Sequence, residues 1–413
     1  MKHVYASIDL GSDTIKLAVC ELYLGHLNLL AAVSMPSQGI KRGLIVDPEL
    51  AKNSIMNAVD EVQDMLGVKI EKVIATVPSH NADYKIVKAT VQPEGDLITN
   101  KDMMRAYKAG IKQGLLPNEE FVTVVPIDFR INEKTIMKDP KGFPAKTLLG
   151  RAMMVTTPKK NVYSVASVIE SLGIELSDIS VGSESDISIF RNDNIDKSIG
   201  VVVNLGAEIT SVSLYSKSIP VRTKIIGAGG KDIDEEIAYT YHISLKEARR
   251  VKETFALAHT RNAGVNDVYE TLDAQGKRIM ISQKDVSQIV LDRLNGILEL
   301  VKKEIDDLTS KPIQYIIVTG GMSNMLDIEY CLRDNFGSLA SKGKVKLIGV
   351  RNNKYSTVIG NIIYFLNTLK LKGLDYSMLS EDEMDRVSSP AKDIPDSVNG
   401  TMLGKLFGYF FGE

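Results

Sequence analysis

Asp9-Leu10-Gly11-Ser12-Asp13-Thr14-Ile15-Lys16 puts a carboxylate at the end of one β-rich run, a glycine turn after it, and a lysine in the run that returns. Such a hairpin can aim backbone N–H groups at phosphate oxygens, with Lys16 as a point charge and Asp9 holding a hydrated Mg2+. A plain β-turn with solvated ends would read the same way. Outward from it, residues 4–10, 16–22 and 26–33 are short β-rich stretches separated by Gly-Ser-Asp and Leu24-Gly25, which predicts an antiparallel meander. Residues 47–66 then carry Leu50, Ile55, Ala58, Val59, Val62 and Leu66, the spacing of a helix opened by Asp-Pro. Residues 73–77 read as a buried strand. The same order returns more loosely as strands at 200–204, 211–215 and 221–225, a helical stretch at 232–241, and a strand at 315–318. Two similar halves with insertions are expected, an α/β fold.

A second turn of the first kind occurs at Asn204-Leu205-Gly206-Ala207-Glu208-Ile209-Thr210. The third glycine site is Val318-Thr319-Gly320-Gly321-Met322, a buried strand running into paired glycines, a geometry that lets backbone approach a nucleotide closely. Each signal is weak singly. Three of them, at the ends of two similar halves, are far more specific.

The rest of the chain has other textures. Residues 81–163 hold two β-rich runs, a helix at 100–113 and a Pro-Lys-Gly-Phe-Pro loop, which predicts a small α+β insertion. Residues 227–308 are helix-dominated and end on one apolar stripe from Val286 to Ile305. Residues 375–400 are polar and read as a linker. In 401–413, Met402, Leu403, Leu406, Phe407, Phe410 and Phe411 fall on one helical face, with Lys405 opposite, the pattern of an interfacial membrane helix.

Composition narrows the field. With 413 residues, 44% hydrophobic and 25% charged, the chain is ordinary globular protein, too long for a single core. A net charge of -2 supplies no basic field for nucleic acid. Cys20 and Cys331 stand alone without metal-ligand spacing, so a reducing compartment is expected and a zinc site is not.

The three glycine sites resemble the actin, Hsp70 and sugar-kinase superfamily, in which ATP lies between two related domains. The sharper resemblance is to the FtsA family of bacterial cell division. It is carried by Gly39-Ile40-Lys41-Arg42-Gly43-Leu44-Ile45-Val46-Asp47, and by Pro126-Ile127-Asp128-Phe129 followed by Asp139-Pro140-Lys141-Gly142-Phe143 in the insertion. The resemblance implies an actin-like (ribonuclease H-like) two-domain fold with an FtsA-type inserted subdomain and a C-terminal amphipathic helix. Its parts would be 1A (1–80 and 164–197), 1C (81–163), 2A (198–226 and 309–374), 2B (227–308), a linker (375–400) and a membrane-targeting helix (401–413).

The same resemblance implies ATP and Mg2+ as cofactors. Nucleotide would be bound by Asp9, Gly11, Ser12, Asp13, Thr14, Lys16, Asn204, Gly206, Glu208, Thr210, Lys252, Gly320, Gly321 and Met322, with Asp9 holding Mg2+ through water. Implied partners are the C-terminal peptide of FtsZ, bound through Arg293, together with membrane lipids, further copies of the chain in a filament, and other division proteins. The expected location is the cytoplasmic face of the cell membrane at the division site. A pilus-assembly actin homologue of the PilM type and an actin-fold small-molecule kinase are the alternatives.

The nucleotide site departs from the family in three places. Asn204 stands where an aspartate is usual, which removes the second acidic partner of Mg2+. Arg249 stands where the superfamily often has a ribose-binding glutamate. Val181 stands where a Glu or Gln orients the attacking water, with Glu184 three residues out of register as the nearest catalytic candidate. ATP binding with slow or absent hydrolysis is expected.

Overall fold

Asp47 caps the first helix by accepting hydrogen bonds from the Glu49 and Leu50 amides, Pro48 opens it, and Gly67 at φ 69° closes it. This helix, α1 (Pro48–Leu66), turns Ala51, Ile55, Ala58, Val59 and Val62 onto a five-stranded sheet. The sheet consists of β1 (His3–Leu10), β2 (Thr14–Tyr23), β3 (His26–Pro36), β6 (Lys72–Val77) and β11 (Glu175–Val181), in the order β11-β6-β1-β2-β3. Between β3 and α1 lies a miniature hairpin of β4 (Ile40–Lys41) and β5 (Leu44–Ile45). The computed structural model describes residues 2–388.

A second five-stranded sheet repeats the plan. It holds β12 (Ile199–Leu205), β13 (Thr210–Ser216), β14 (Ile219–Ile226), β17 (Tyr315–Thr319) and β18 (Ala340–Lys342), ordered β14-β13-β12-β17-β18. In both sheets a three-strand antiparallel meander continues into two parallel strands. The expected internal repeat is therefore present, and the fold is α/β. Gly200 allows the close pairing of β12 with β17, since a Cβ there would stand 2.4 Å from the Tyr315 ring.

The insertion after β6 is a four-stranded antiparallel sheet of β7 (Asp83–Val91), β8 (Glu119–Ile131), β9 (Thr135–Met137) and β10 (Leu148–Pro158), ordered β7-β10-β8-β9. It is covered by α2 (Asn100–Gly114), whose Thr99 and Asp102 form a reciprocal capping box. Its small core holds Val87, Tyr107, Phe129 and Met154. The chain then returns to the first sheet through α3 (Lys159–Glu170).

In the second half, the excursion between β14 and β17 holds α5 (Gly230–Tyr241), α6 (Leu245–Thr254), the hairpin β15 (Val268–Leu272) and β16 (Arg278–Ser282), and α7 (Gln283–Leu308). The apolar stripe of α7 is buried as its spacing requires, from Val286 to Ile305. After β17, α8 (Ile328–Phe336) precedes β18.

Two helices join the halves. α4 (Gly182–Phe190) leads out of β11, and α9 (Ser356–Lys372) brings the chain back to the first sheet. They touch at Gly360, where a Cβ would lie 1.9 Å from the Ser185 carbonyl oxygen, so only glycine permits this crossing.

The stretch expected as a linker from 375 begins docked instead. The Met378 amide donates to the Val4 carbonyl at 2.9 Å, the Tyr5 hydroxyl donates to the Tyr376 carbonyl at 2.8 Å, and α10 (Glu381–Ser388) follows. Met378, Leu379 and Met384 are buried in the first core. Their apolar signal is diluted by Glu381, Asp382 and Glu383, which is why the composition reads as solvated chain. The membrane-helix residues Met402, Leu403, Leu406, Phe407, Phe410 and Phe411 lie outside the described residues.

Candidate nucleotide cleft

Strand pairing sets the first wall of the site. Asp9 and Lys16 are cross-strand partners of β1 and β2, their side chains 3.4 Å apart, and the other Asp9 oxygen accepts from Thr76 Oγ1 at 2.9 Å. The turn between them is tight at Gly11, where a Cβ would meet the Thr14 carbonyl at 2.6 Å and Lys16 Nζ at 2.7 Å. Ser12 Oγ accepts from the Gly43 amide at 2.7 Å, which ties the β4–β5 hairpin to this turn.

The second wall mirrors the first. The turn after β12 closes with the Gly206 amide donating to the Ile209 carbonyl at 3.0 Å, and a Cβ on Gly206 would meet that same oxygen at 2.7 Å. Glu208 accepts from the Arg42 amide at 2.7 Å and from Lys231 Nζ at 2.9 Å. Behind it, β17 is followed by Gly320, whose φ of +88° and closeness to the Asn204 side chain exclude other residues. Gly321 is the opposite case. A Cβ there would meet nothing within 4 Å, so the position stands open towards the space between the walls.

That space is a cavity of about 540 Å3, inside the range of small-molecule sites. Asp9, Gly11, Ser12, Asp13, Thr14 and Lys16 line it from the first half, and Asn204, Gly206, Glu208, Gly320 and Gly321 from the second. Eleven of the fourteen expected nucleotide residues thus surround one cavity. The other three have internal duties. Thr210 is buried and donates to the Ala228 carbonyl at 2.9 Å. Lys252 pairs with Asp234 at 2.7 Å and donates to the Gly230 carbonyl at 2.8 Å. Met322 packs into the second core.

Several lining residues are absent from the sequence reading. Asp186, on the turn of α4 after Gly182, accepts from Thr357 Oγ1 at 2.6 Å and from Asn204 Nδ2 at 3.0 Å. Asn204 therefore hydrogen-bonds a neighbouring aspartate, and a second carboxylate lines the cavity with Asp9. Burial raises the Asp186 carboxyl to about 6 against the hydrogen bonds that lower it, and the charge of Asp9 adds to the rise. Lys354 also lines the cavity, its ammonium pKa lowered by burial and then by the positive charge of Lys16. Asn324 donates to the Gly320 and Gly321 carbonyls and to Asn352, bracing the paired glycines. The signal available in sequence was Asn352-Asn353-Lys354, a polar run opening an otherwise apolar helix.

Glu184 stands away from the cavity. It is 1% exposed, and burial raises its carboxyl to about 8. Its Oε2 accepts from Ser183 at 3.2 Å while Oε1 has no partner. Glu184 is not among the residues that line the cavity, so its carboxyl meets no water in the cleft. Arg293 is half-exposed on α7 and forms an ion pair with Glu236 of α5.

Among the described residues no group of three or more His, Cys, Asp or Glu side chains could hold a metal ion alone. No helix among them is long and apolar enough to cross a membrane.

Two halves of matching topology, each presenting a glycine hairpin to a shared cavity, define an actin-like protein. MreB5 of Spiroplasma citri bound to ADP has the same fold, with a TM-score of 0.55 at 15% identity over 89% of this chain and 98% of that one. So does the PilM–PilN type IV pilus biogenesis complex, with a TM-score of 0.57 at 15% identity over 88% and 98%. The family model for cell division protein FtsA matches residues 201–360, and that for the SHS2 domain inserted in FtsA matches residues 81–156. Cell division protein FtsA of Bacillus subtilis (strain 168) is 26% identical over 379 residues, 90% of this chain and 85% of the relative. The two matched segments span more than half of the chain, which belongs to the FtsA family of cell-division proteins.

Proposed function

We propose that the chain binds ATP with Mg2+ in the cleft, assembles into filaments on the cytoplasmic membrane, and tethers FtsZ polymers there through the FtsZ C-terminal peptide. It would stand at the division site and recruit later division proteins. The observation that carries the nucleotide reading is the cavity bounded by both glycine hairpins and Gly320-Gly321, with Lys16 and Lys354 beside it. The open approach at Gly321 leaves room for a ligand. Bound Mg2+ would neutralise phosphate charge. The residues fit such an ion when nucleotide oxygens and water complete its shell, Asp9 and Asp186 being the nearby carboxylates.

Hydrolysis is proposed to be slow or absent. Val181 supplies no polar group, and Glu184 is buried and neutral at pH 7. Titration calorimetry of Mg-ATP against the full chain and Lys16→Ala tests binding, and equal affinity would reject the placement. Single-turnover measurement tests hydrolysis, and turnover near ~1 s⁻¹ would reject that part. Membrane attachment rests on residues 401–413. Liposome flotation should be lost when Phe407 and Phe410 become Glu and should persist in Lys405→Ala.

A further inference from the structure

The two walls of the cleft are already joined by side chains. Arg249, on α6 of the second half, makes a two-pronged ion pair with Asp13, in the glycine turn of the first half. The partners are 236 residues apart in sequence, and both line the cavity. Arg249 is steadied from behind by Glu253 one turn on, Nε to Oε1 3.0 Å. The Asp13 carboxylate is also what most raises the Arg249 pKa, so the cation is permanent. A second link runs from the Arg42 amide, fixed in the short β4–β5 hairpin, to the Glu208 carboxylate, which Lys231 also holds. The Asp13–Arg249 link joins side chain to side chain, so rotation at either end opens it.

We propose that the Asp13–Arg249 pair is a gate on nucleotide exchange, which must open each time a nucleotide enters or leaves. This rests on the cavity being the nucleotide site. A guanidinium matches a carboxylate in two parallel hydrogen bonds, so the closed state is geometrically defined. It is also half-exposed, its side chains 38% and 31% accessible, which keeps the pair weak enough to break. A gate differs from a ligand contact in its kinetic signature. Removing a contact speeds release alone and weakens affinity, whereas removing a gate speeds entry and release together and leaves affinity nearly constant.

The experiment is stopped-flow fluorescence of the full chain with a ribose-labelled fluorescent ATP analogue and Mg2+. Arg249→Ala should raise both association and release about fivefold, the scale set by a partly screened ion pair, and leave their ratio nearly unchanged. Asp13, itself counted among the nucleotide contacts, enters only through the cycle: adding Asp13→Asn to Arg249→Ala should give no further acceleration of association, because each substitution breaks the same link. Multiplying effects, unchanged rates, or a faster release with unchanged association would each overturn the gate. A parent chain that binds no analogue would instead remove the nucleotide reading, and the gate with it. Salt supplies an independent readout. Exchange in the parent chain should accelerate with NaCl more than in Arg249→Ala, and equal salt responses would also overturn the gate.

Discussion

Glu184→Gln should stabilise the protein at pH 8 and do little at pH 5. The carboxyl is fully enclosed in α4, and burial raises its pKa from the ordinary 4.5 to about 8. Between those two values the folded chain holds a proton that the unfolded chain has released. Stability from this group is therefore whole below pH 4.5 and falls as pH rises towards 8. At pH 7 the gap is two to three pH units, and at 1.36 kcal/mol per unit the cost is about 3 kcal/mol. Glutamine keeps the shape without the titration. Any fixed cost of the amide is the same at both pH values, so the difference between them isolates the proton.

Thermal melts read by tyrosine fluorescence suit a chain with 15 Tyr and no Trp. Melting of the variant relative to the parent should rise by about 3–5 °C between pH 5 and pH 8. A shift that is equal at the two pH values, or a variant relatively weaker at pH 8, would refute the burial reasoning.

Gly320→Ala should destabilise by about 3 kcal/mol and abolish ATP binding in calorimetry, since φ is +88° and its Cβ would stand 2.4 Å from Asn204 Oδ1. Met384→Asp should erase hydrogen-exchange protection of the Met378 amide while the global melt barely moves, because only α10 loses its anchor. Arg293→Glu should cost under about 1 kcal/mol of stability, its ion pair being exposed and screened, yet abolish anisotropy of a labelled FtsZ tail. Equal peptide binding would take Arg293 out of the contact.

Much of the fold was legible because its signals are local. Asp47-Pro48 and Gly67 bracket α1, the stripe from Val286 to Ile305 marks α7, and each meander alternates within a few residues. The glycine turns marked the cavity because tight turns need glycine. The rest depends on contacts between distant segments. Asp186 reaches the cleft through helix phase, and Arg249 meets Asp13 only after two halves have closed. Lys252 and Thr210 carry motif chemistry but spend it on Asp234 and Ala228. Burial of Met378 and Met384 cannot be read from a stretch dominated by acids.

The docking of residues 376–388 also has a mechanical consequence. The last described residues, α10, are joined to the body through the Met378–Val4 hydrogen bond at one end of β1, and Asp9 stands near the other end of that strand. Five residues of strand, about 17 Å, separate the two points. If the proposed membrane attachment holds, a pull on it would be delivered in line with a strand held on both sides by β2 and β6, where ladder hydrogen bonds share the load. Such tension would peel α10 from its apolar seat before it strained the strand that carries the cleft. That short docked helix makes the first element to yield a replaceable one.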